Sequence, residues 1–281
     1  MTRVDTVASR EPAVAATQTR AIGHAPRHRR IRRVAEPALG IAAFFALWAF
    51  VSWRINNANL LPSPAAVARA FRGMLDDELP HDIGASLVHL GIGYGLGAGV
   101  GLLLALATAR SRWVEAIVDP FVEFLRPIGA IAWIPIAILL FGVGTAVPVF
   151  LIFYASIFPI FVNTFDGIRR VDANLVNAAL SLGTSRRQVT MLVILPAVMP
   201  SVLAGARLSL GVAWASLVAG EIVGGDSGIG WRILWYQEFF QMDRVMAAIL
   251  IVGVLGLAAD HLLKTLQRRL LRWDPASGGR A

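Results

Sequence analysis

Residues 83–109 read IGASLVHLGIGYGLGAGVGLLLALATA, a run of 27 residues without a formal charge. A helix needs about 20 apolar residues to cross a bilayer, so this run predicts a transmembrane helix. Its alternating glycines form two stripes on two helix faces: Gly93, Gly97 and Gly101, and Gly91, Gly95 and Gly99. Small residues four positions apart let helices approach closely in lipid. A dinucleotide-binding glycine fingerprint would need a preceding strand, which the pattern does not indicate.

Working outward, the other long apolar runs predict five more membrane-spanning helices. They cover residues 38–53, the two halves of 127–165, residues 188–220 and residues 245–259. The run 127–165 has 39 residues, too many for one span, and Gly142-Val143-Gly144-Thr145 divides it by a tight turn. The chain is therefore predicted to be an all-α, polytopic membrane protein with six transmembrane helices. Between spans, residues 64–79 and 113–126 predict amphipathic helices, and residues 223–244 a glycine- and aromatic-rich loop.

The basic residues are distributed unevenly between the two sides of this topology. The chain has 26 Lys+Arg against 18 Asp+Glu, a net charge of +8. With six spans both termini share one side, and that side holds 20 basic residues against 5 on the other. The positive-inside rule puts both termini in the cytoplasm. We expect a disordered basic tail over 1–34, a transmembrane domain over 35–272 and a cytosolic tail over 273–281, without a nucleic-acid partner.

Several kinds of chemistry find no support in the sequence. The chain has no cysteine, which excludes disulfides and thiolate metal sites. No HExxH zinc motif is present, and the one lysine, Lys264, follows leucine, so there is no P-loop. Glu115, Asp119 and Glu123, four apart, are typical of a solvated helix face. We expect no catalytic residue, metal site or cofactor site in this chain, and no ATPase activity.

One stretch of the polar segment before the fifth span carries a motif. It reads Asn177-Ala178-Ala179-Leu180-Ser181-Leu182-Gly183, and nine residues later Val193-Ile194-Leu195-Pro196. This resembles the EAA motif of permease subunits of ABC importers: Glu-Ala-Ala, three residues, glycine, nine residues, an aliphatic residue, any residue, Leu-Pro. Every spacing fits, although Asn177 replaces the usual glutamate and Val193 the usual isoleucine. Two small residues let a short helix seat in a groove, and Gly183 permits the turn that follows.

The resemblance implies a type I ABC importer permease fold and a set of partners. The loop of about residues 166–190 would dock on the ATP-hydrolysing subunit and pass its motion to the membrane helices. Docking residues would be Asn177, Ala178, Ala179, Gly183, Leu195 and Pro196. Two copies of that ATPase, which binds ATP and Mg, would join two permease copies, expected to be a homodimer in membrane lipid. A periplasmic or lipid-anchored solute-binding protein would deliver substrate at the bacterial inner membrane.

Further segments in order resemble one branch of this family, from about residue 60 to residue 274. They include Leu61-Pro62-Ser63-Pro64, Ala132-Trp133-Ile134-Pro135, Phe141-Gly142-Val143-Gly144, Gly205-Ala206-Arg207-Leu208, Ala219-Gly220-Glu221, Ser227-Gly228-Ile229-Gly230 and Arg272-Trp273-Asp274. The branch contains permeases for aliphatic sulfonates and taurine, for nitrate and bicarbonate, and for thiamine-precursor pyrimidines. A sulfonate or taurine is the first expectation, and the others stay open.

Two charged residues of the predicted spans are candidates for a pathway or gate, Arg207 and Glu221. Charges inside spans are costly and are commonly paired or functional. The two lie fourteen residues apart, about 21 Å along a helix, and cannot pair with each other. Arg207 either faces the pathway or lies near the cytosolic interface, and Glu221 is a gate, a binding-protein contact or an interfacial residue. For His89 we expect a packed or hydrogen-bonded side chain.

Two classes outside the family remain as alternatives. An ion-coupled secondary transporter would show repeated halves or charges along an ion path, and most spans here are uncharged. A membrane enzyme would show convergent acids and histidines, and the carboxylates here are scattered.

Overall fold

A computed structural model describes residues 27–75 and 79–271, with side chains from residue 39 onward. These described residues form helices and turns, without a strand. The helices are α1 (Arg27–Ile55), α2 (Pro64–Leu75), α3 (Leu79–Arg110), α4 (Arg112–Leu125), α5 (Ile134–Phe141), α6 (Ala146–Arg169), α7 (Ala173–Ser181), α8 (Arg186–Val189), α9 (Leu195–Gly224), α10 (Ile229–Glu238) and α11 (Met242–Leu270). A 3₁₀ turn, Ala130–Trp133, precedes α5, and a π-helical turn, Thr190–Ile194, joins α8 to α9. The all-α prediction is confirmed.

The structure contains fewer clear membrane-spanning helices than the six predicted. Four helices are long and apolar enough to cross a membrane: α3, α6, the continuous stretch Arg186–Gly224, and α11. A fifth span arises only if α4 and the segment Ala130–Phe141, which meet at an 89° bend, count as one. The apolar part of α1, Leu39–Ile55, is shorter than those four helices. Six spans therefore require both the bent pair and α1.

Two predicted elements differ from the observed ones. The third predicted span contains only the 3₁₀ turn and the eight-residue α5, because Pro127 and Gly129 interrupt the chain before it and Pro135 sits at the start of α5. The predicted loop 223–244 contains the ten-residue helix α10, whose Ile229, Ile233 and Tyr236 are buried at helical spacing.

Both chain ends extend beyond the described residues. Residues 1–26 of the predicted N-terminal tail and the whole C-terminal tail, 273–281, lie outside them, whereas α1 already begins at Arg27. Packing divides the chain between Leu47 and Trp48. In the first unit, the rings of Phe44 and Phe45 meet edge to face. In the second, the Trp48 indole donates to the Pro62 carbonyl at 3.1 Å.

Helix α6 forms the centre of the second unit, between α3 and α9. It contacts α3 along one glycine stripe. A Cβ at Gly97 would lie 2.6 Å from the Phe153 carbonyl oxygen, and one at Gly101 would lie 2.6 Å from the Ile157 carbonyl oxygen. Gly205 and Gly220 of α9 fit against the opposite side of α6 in the same way. The second predicted stripe of α3, Gly91, Gly95 and Gly99, has no atom of the described chain within reach of a Cβ.

The two stripes predict opposite responses to the same substitution. Gly97→Ala places a methyl group against α6 backbone, which cannot move aside cheaply, so we expect a loss of about 1–3 kcal/mol in unfolding free energy. Gly99→Ala, two residues away in open space, should leave stability unchanged or raise it slightly through helix propensity. Thermal unfolding of the two detergent-solubilised variants measures the difference. Equal melting temperatures would contradict the observed α3–α6 packing.

Candidate functional site

The residues of the motif lie on a short helix and its turn. The Asp172 carboxylate caps α7 by accepting from the Asn174 backbone N–H at 2.8 Å. Helix α7 carries Asn177, Ala178 and Ala179, and it ends at Ser181. Gly183 follows at φ +81°, in the left-handed region that side chains disfavour. The predicted glycine turn is therefore present, and it reverses the chain toward α8.

The second half of the motif lies where the loop enters the membrane helix. Ser185 and Gln188 form a capping box at the start of α8. The π-helical turn Thr190–Ile194 follows, and Leu195 and Pro196 then begin α9. Within the continuous helical stretch Arg186–Gly224, Pro196 has no N–H to donate and therefore interrupts the helical hydrogen bonds just after the π-helical turn. Single π-helical turns are frequent at functional sites. The sequence analysis did not detect this turn.

Helix α7 buries none of its residues in the chain. Its surface is nevertheless partly apolar, since Leu175 is 56% exposed and Leu182, directly after the helix, is 86% exposed. Leu175 and Leu182 were not among the predicted docking residues, although leucines in an otherwise polar loop are a visible signal. An unpartnered apolar surface of this kind is typical of a protein-docking element.

A cleft of about 350 Å³ lies beneath the α7–α8 turn. The ends of α3 and α6 form one wall through Ala109, Arg110 and Ile168, and Val176 and Arg186 form the other. The loop therefore stands over the membrane helices with a gap between them.

Glu221 lies near the far end of α9 from this loop and is buried, with 1% of its surface exposed. The Ser86 hydroxyl donates to its Oε1 at 2.8 Å, and the Gly230 backbone N–H donates to its Oε2 at 2.9 Å. His89 Nδ1 lies 2.9 Å from Oε1, within hydrogen-bonding distance. One carboxylate thus joins α3, α9 and α10.

This arrangement bears on the interpretation of two residues. Glu221 is buried among three helices, and its role as a gate, a binding-protein contact or an interfacial residue stays a prediction. The hydrogen-bonded His89 is confirmed. Gly228 lets the backbone of residues 227–230 pass close to the Glu221 carboxylate. A Cβ at Gly228, which has φ +100°, would overlap that carboxylate.

A second buried ionic contact lies at the same end of the molecule. The Arg232 guanidinium of α10 donates from Nε to Oδ2 of Asp82 on α3. Both side chains are largely buried, and the Arg232 guanidinium also lies 5.0 Å from the Trp231 ring centroid. The sequence analysis missed this pair because it placed Asp82 and Arg232 in separate outer loops. Their buried contact, like that of Glu221, fastens α10 to α3.

Arg207 lies in the loop-proximal half of α9 and pairs within the chain. Its Nε donates to Oδ1 of Asp260 on α11 at 2.9 Å, and Lys264 lies 2.6 Å from Oδ2 of the same carboxylate. These groups are one-third to one-half exposed and border a groove of about 640 Å³ between α9 and α11. Such exposed pairs stabilise little. A pathway role for Arg207 stays a prediction.

The two candidate regions are separate. The motif lies at one end of α9 and the Glu221 contacts at the other, about 40 Å apart along a helix of 30 residues. Within the described part of the chain no group of three or more His, Asp or Glu side chains could hold a metal ion. The geometry thus places an exposed loop helix at one end, a buried polar cluster at the other and a continuous helix between them.

The sequence matches a family model described as "Binding-protein-dependent transport system inner membrane component" over residues 97–272. A relative named aliphatic sulfonates transport permease protein SsuC, from Escherichia coli K12, is 39% identical over 85% of this chain and 90% of its own. The taurine transport system permease protein TauC of the same organism is 31% identical, over 80% and 84%. The bicarbonate transport system permease protein CmpB of Synechococcus elongatus is 31% identical, over 92% and 99%.

Solved structures agree with the fold. An amino acid ABC transporter crystallised with histidines superposes with a TM-score of 0.58 at 19% identity, over 71% of this chain and 98% of the other. An inward-facing MetNI methionine ABC transporter gives 0.55 at 16% identity, over 68% and 95%.

The Glu221 contacts predict a graded response to substitution. Glu221→Leu removes the hydrogen-bond partner of three buried polar groups, each costing about 1–3 kcal/mol when left unsatisfied, so the melting temperature should fall by at least several degrees. Glu221→Gln keeps one acceptor oxygen and should lie between Leu and the native chain. Asp226→Leu, at an exposed acid five residues away, serves as the control and should be near neutral. Thermal unfolding in detergent measures all three. Equal losses for Glu221→Leu and Asp226→Leu would exclude the buried cluster.

Proposed function

The chain belongs to the family of binding-protein-dependent transport system inner membrane components and is a permease subunit of an ABC importer; we propose that its segment 166–190 couples it to a separate ATPase. The observation that carries this proposal is helix α7. It is held by its own cap and by the Gly183 turn, yet it buries none of its residues. Its small and apolar surface residues, Ala178, Leu175 and Leu182, suit a groove on a partner protein.

The partners and the location follow from the same proposal. Two ATPase subunits, each with its own ATP and Mg, dock on two permease copies, and a periplasmic or lipid-anchored protein delivers the solute. This chain binds no cofactor and hydrolyses nothing itself. It lies in the bacterial inner membrane with residues 35–272 as the transmembrane domain and both tails, 1–34 and 273–281, in the cytoplasm. The excess of arginine at that side supports this orientation.

Transport then proceeds by alternating access. ATP binding closes the ATPase pair and draws the two α7 helices together. The rigid stretch from the π-helical turn through α9 passes this displacement toward the Glu221 cluster, where α3, α9 and α10 move as one body. The path between the two permeases opens outward and receives the solute. Hydrolysis returns the permeases to the inward-open state.

We propose an organic sulfonate, an aliphatic sulfonate or taurine, as the solute. The E. coli sulfonate relative has the highest identity of the three named above, at 39%, and the taurine and bicarbonate relatives share 31%. Bicarbonate, nitrate and a thiamine-precursor pyrimidine are the alternative substrates of the same branch. Uptake assays in proteoliposomes with the cognate binding protein distinguish them.

The proposed orientation is testable because the native chain has no cysteine. Leu60→Cys, in the loop before α2, and Leu182→Cys, after α7, each introduce one thiol at an exposed position, 73% and 86% exposed. In intact spheroplasts a membrane-impermeant maleimide should label Leu60→Cys only. Leu182→Cys should react only after permeabilisation, and the reverse pattern would overturn the orientation.

The docking proposal predicts that a substitution on the proposed contact surface releases the ATPase without unfolding the permease. Leu182→Asp places a charge in the proposed apolar contact, so the ATPase that co-purifies with the native chain should fall at least tenfold. Leu60→Asp, the same substitution on an exposed leucine in the loop before α2, is the control and should retain the ATPase. Both variants should keep the native melting temperature. Equal recovery of ATPase with both variants would refute docking through α7.

A further inference from the structure

A cleft of about 340 Å³ lies along one side of α6 and has so far no role. Its back wall is the α6 stripe Tyr154, Ala155, Phe158, Pro159, Val162 and Asn163. Its two edges are the bend between α4 and α5, residues 126–130, and Val212 of α9. The volume lies at the lower end of the range of small-ligand pockets, about 300–1,000 Å³.

The polar groups of the cleft can bind an anion. Arg126, the residue after α4, lines it, is exposed, and forms no ion pair with any residue in the described ranges 39–75 and 79–271. Asn163 donates one amide hydrogen to the Pro159 carbonyl at 2.8 Å, which leaves the second hydrogen of its Nδ2 available. No acidic side chain lines the cleft.

The remaining lining is apolar and its shape is held in place. Ala155, Phe158, Val162 and Val212 supply a hydrocarbon surface beside the guanidinium. The Tyr154 hydroxyl donates to the Leu125 carbonyl at 2.8 Å, so α6 fixes the backbone directly before Arg126. A cation beside an apolar wall matches an anion with a short hydrocarbon tail better than a small inorganic anion.

The cleft lies along the middle of α6, since its lining residues run from Tyr154 to Asn163 within the helix Ala146–Arg169. Its Asn163 end is the end nearer the segment 166–190, six residues before Arg169 and about 9 Å along α6. A solute bound here would therefore lie within the membrane part of the permease, with one end of its site toward the side on which the proposed importer releases it.

We propose that this cleft is a transit site for an organic anion, with Arg126 and Asn163 binding the sulfonate group and the α6 wall and Val212 binding the hydrocarbon tail. The inference rests on the proposed import of a sulfonate and deepens it, since it assigns substrate contacts to the permease itself. It also moves the solute-contacting cation from Arg207, which pairs with Asp260, to Arg126.

The test uses the complete importer in proteoliposomes, with its ATPase and binding protein, and three labelled probes: methanesulfonate, ethanesulfonate and butanesulfonate. Arg126→Gln should lower ATP-driven uptake of all three about tenfold or more, because it removes the charge that binds the sulfonate. Arg112→Gln, a neutralised arginine on the same helix that does not line the cleft, should transport as the native chain does.

A second variant tests the tail-binding wall and does not depend on the first. Val212 is 49% exposed, so Val212→Phe fills the cleft without disturbing the core. It should reduce butanesulfonate uptake at least tenfold relative to methanesulfonate. Val223→Phe, the same change on the same helix at a position 54% exposed and outside the cleft, should leave the ratio unchanged. A change in chain-length preference cannot arise from a general loss of folding.

The outcomes separate this inference from the proposed function. If the native importer takes up none of the probes with ATP, the sulfonate proposal itself fails, and the transit site with it. If uptake proceeds but Arg126→Gln and Val212→Phe match their controls, the importer function stands and the transit site is refuted. If Val212→Phe lowers all three probes equally, the wall does not bind the tail, and the assignment is likewise overturned.

Discussion

Close backbone contact between α6 and its two neighbours is the constraint on which the second unit depends. Lipid is as apolar as a leucine side chain, so helices in a membrane gain little from hydrophobic burial and associate through close packing. Gly97 and Gly101 bring α3 onto α6 carbonyl groups, and Gly205 and Gly220 do the same for α9. With α6 enclosed in this way, α3, α6 and α9 form the frame to which the segment 166–190 and α10 are attached.

The two ends of this frame are held by different interactions. At the α10 end, Glu221 and Asp82 form buried contacts whose donors lie on separate helices. Removing one partner of a buried polar contact is expensive, so these helices stay together. At the loop end, Arg207 and Asp260 pair while partly exposed, and a groove opens beside them. Because exposed pairs contribute little, this end can rearrange more easily.

The motif residues lie at this less tightly held end. Ala178 and Ala179 keep the surface of α7 shallow, and Gly183 lets the chain turn where a Cβ would be strained. Pro196 lies just after the π-helical turn, where the loop becomes the membrane helix α9. The apolar surface of Leu175 and Leu182 extends the candidate contact beyond the motif. A displacement of α7 would thus reach the frame through one continuous helical stretch.

The sequence alone determined the helical class and the family, and it supplied the hypothesis that the segment 166–190 docks on the ATPase. Apolar length, glycine spacing and the motif are local patterns, and local patterns are visible in one dimension. Tertiary structure alone decided which glycine stripe of α3 packs against α6. It also decided that Glu221 contacts His89 and Ser86, which lie more than 130 residues away in the sequence. The helix that the predicted loop 223–244 places against α3 is likewise visible only there. Contacts between distant segments depend on how helices pack, and no periodicity within one segment encodes the identity of its neighbour.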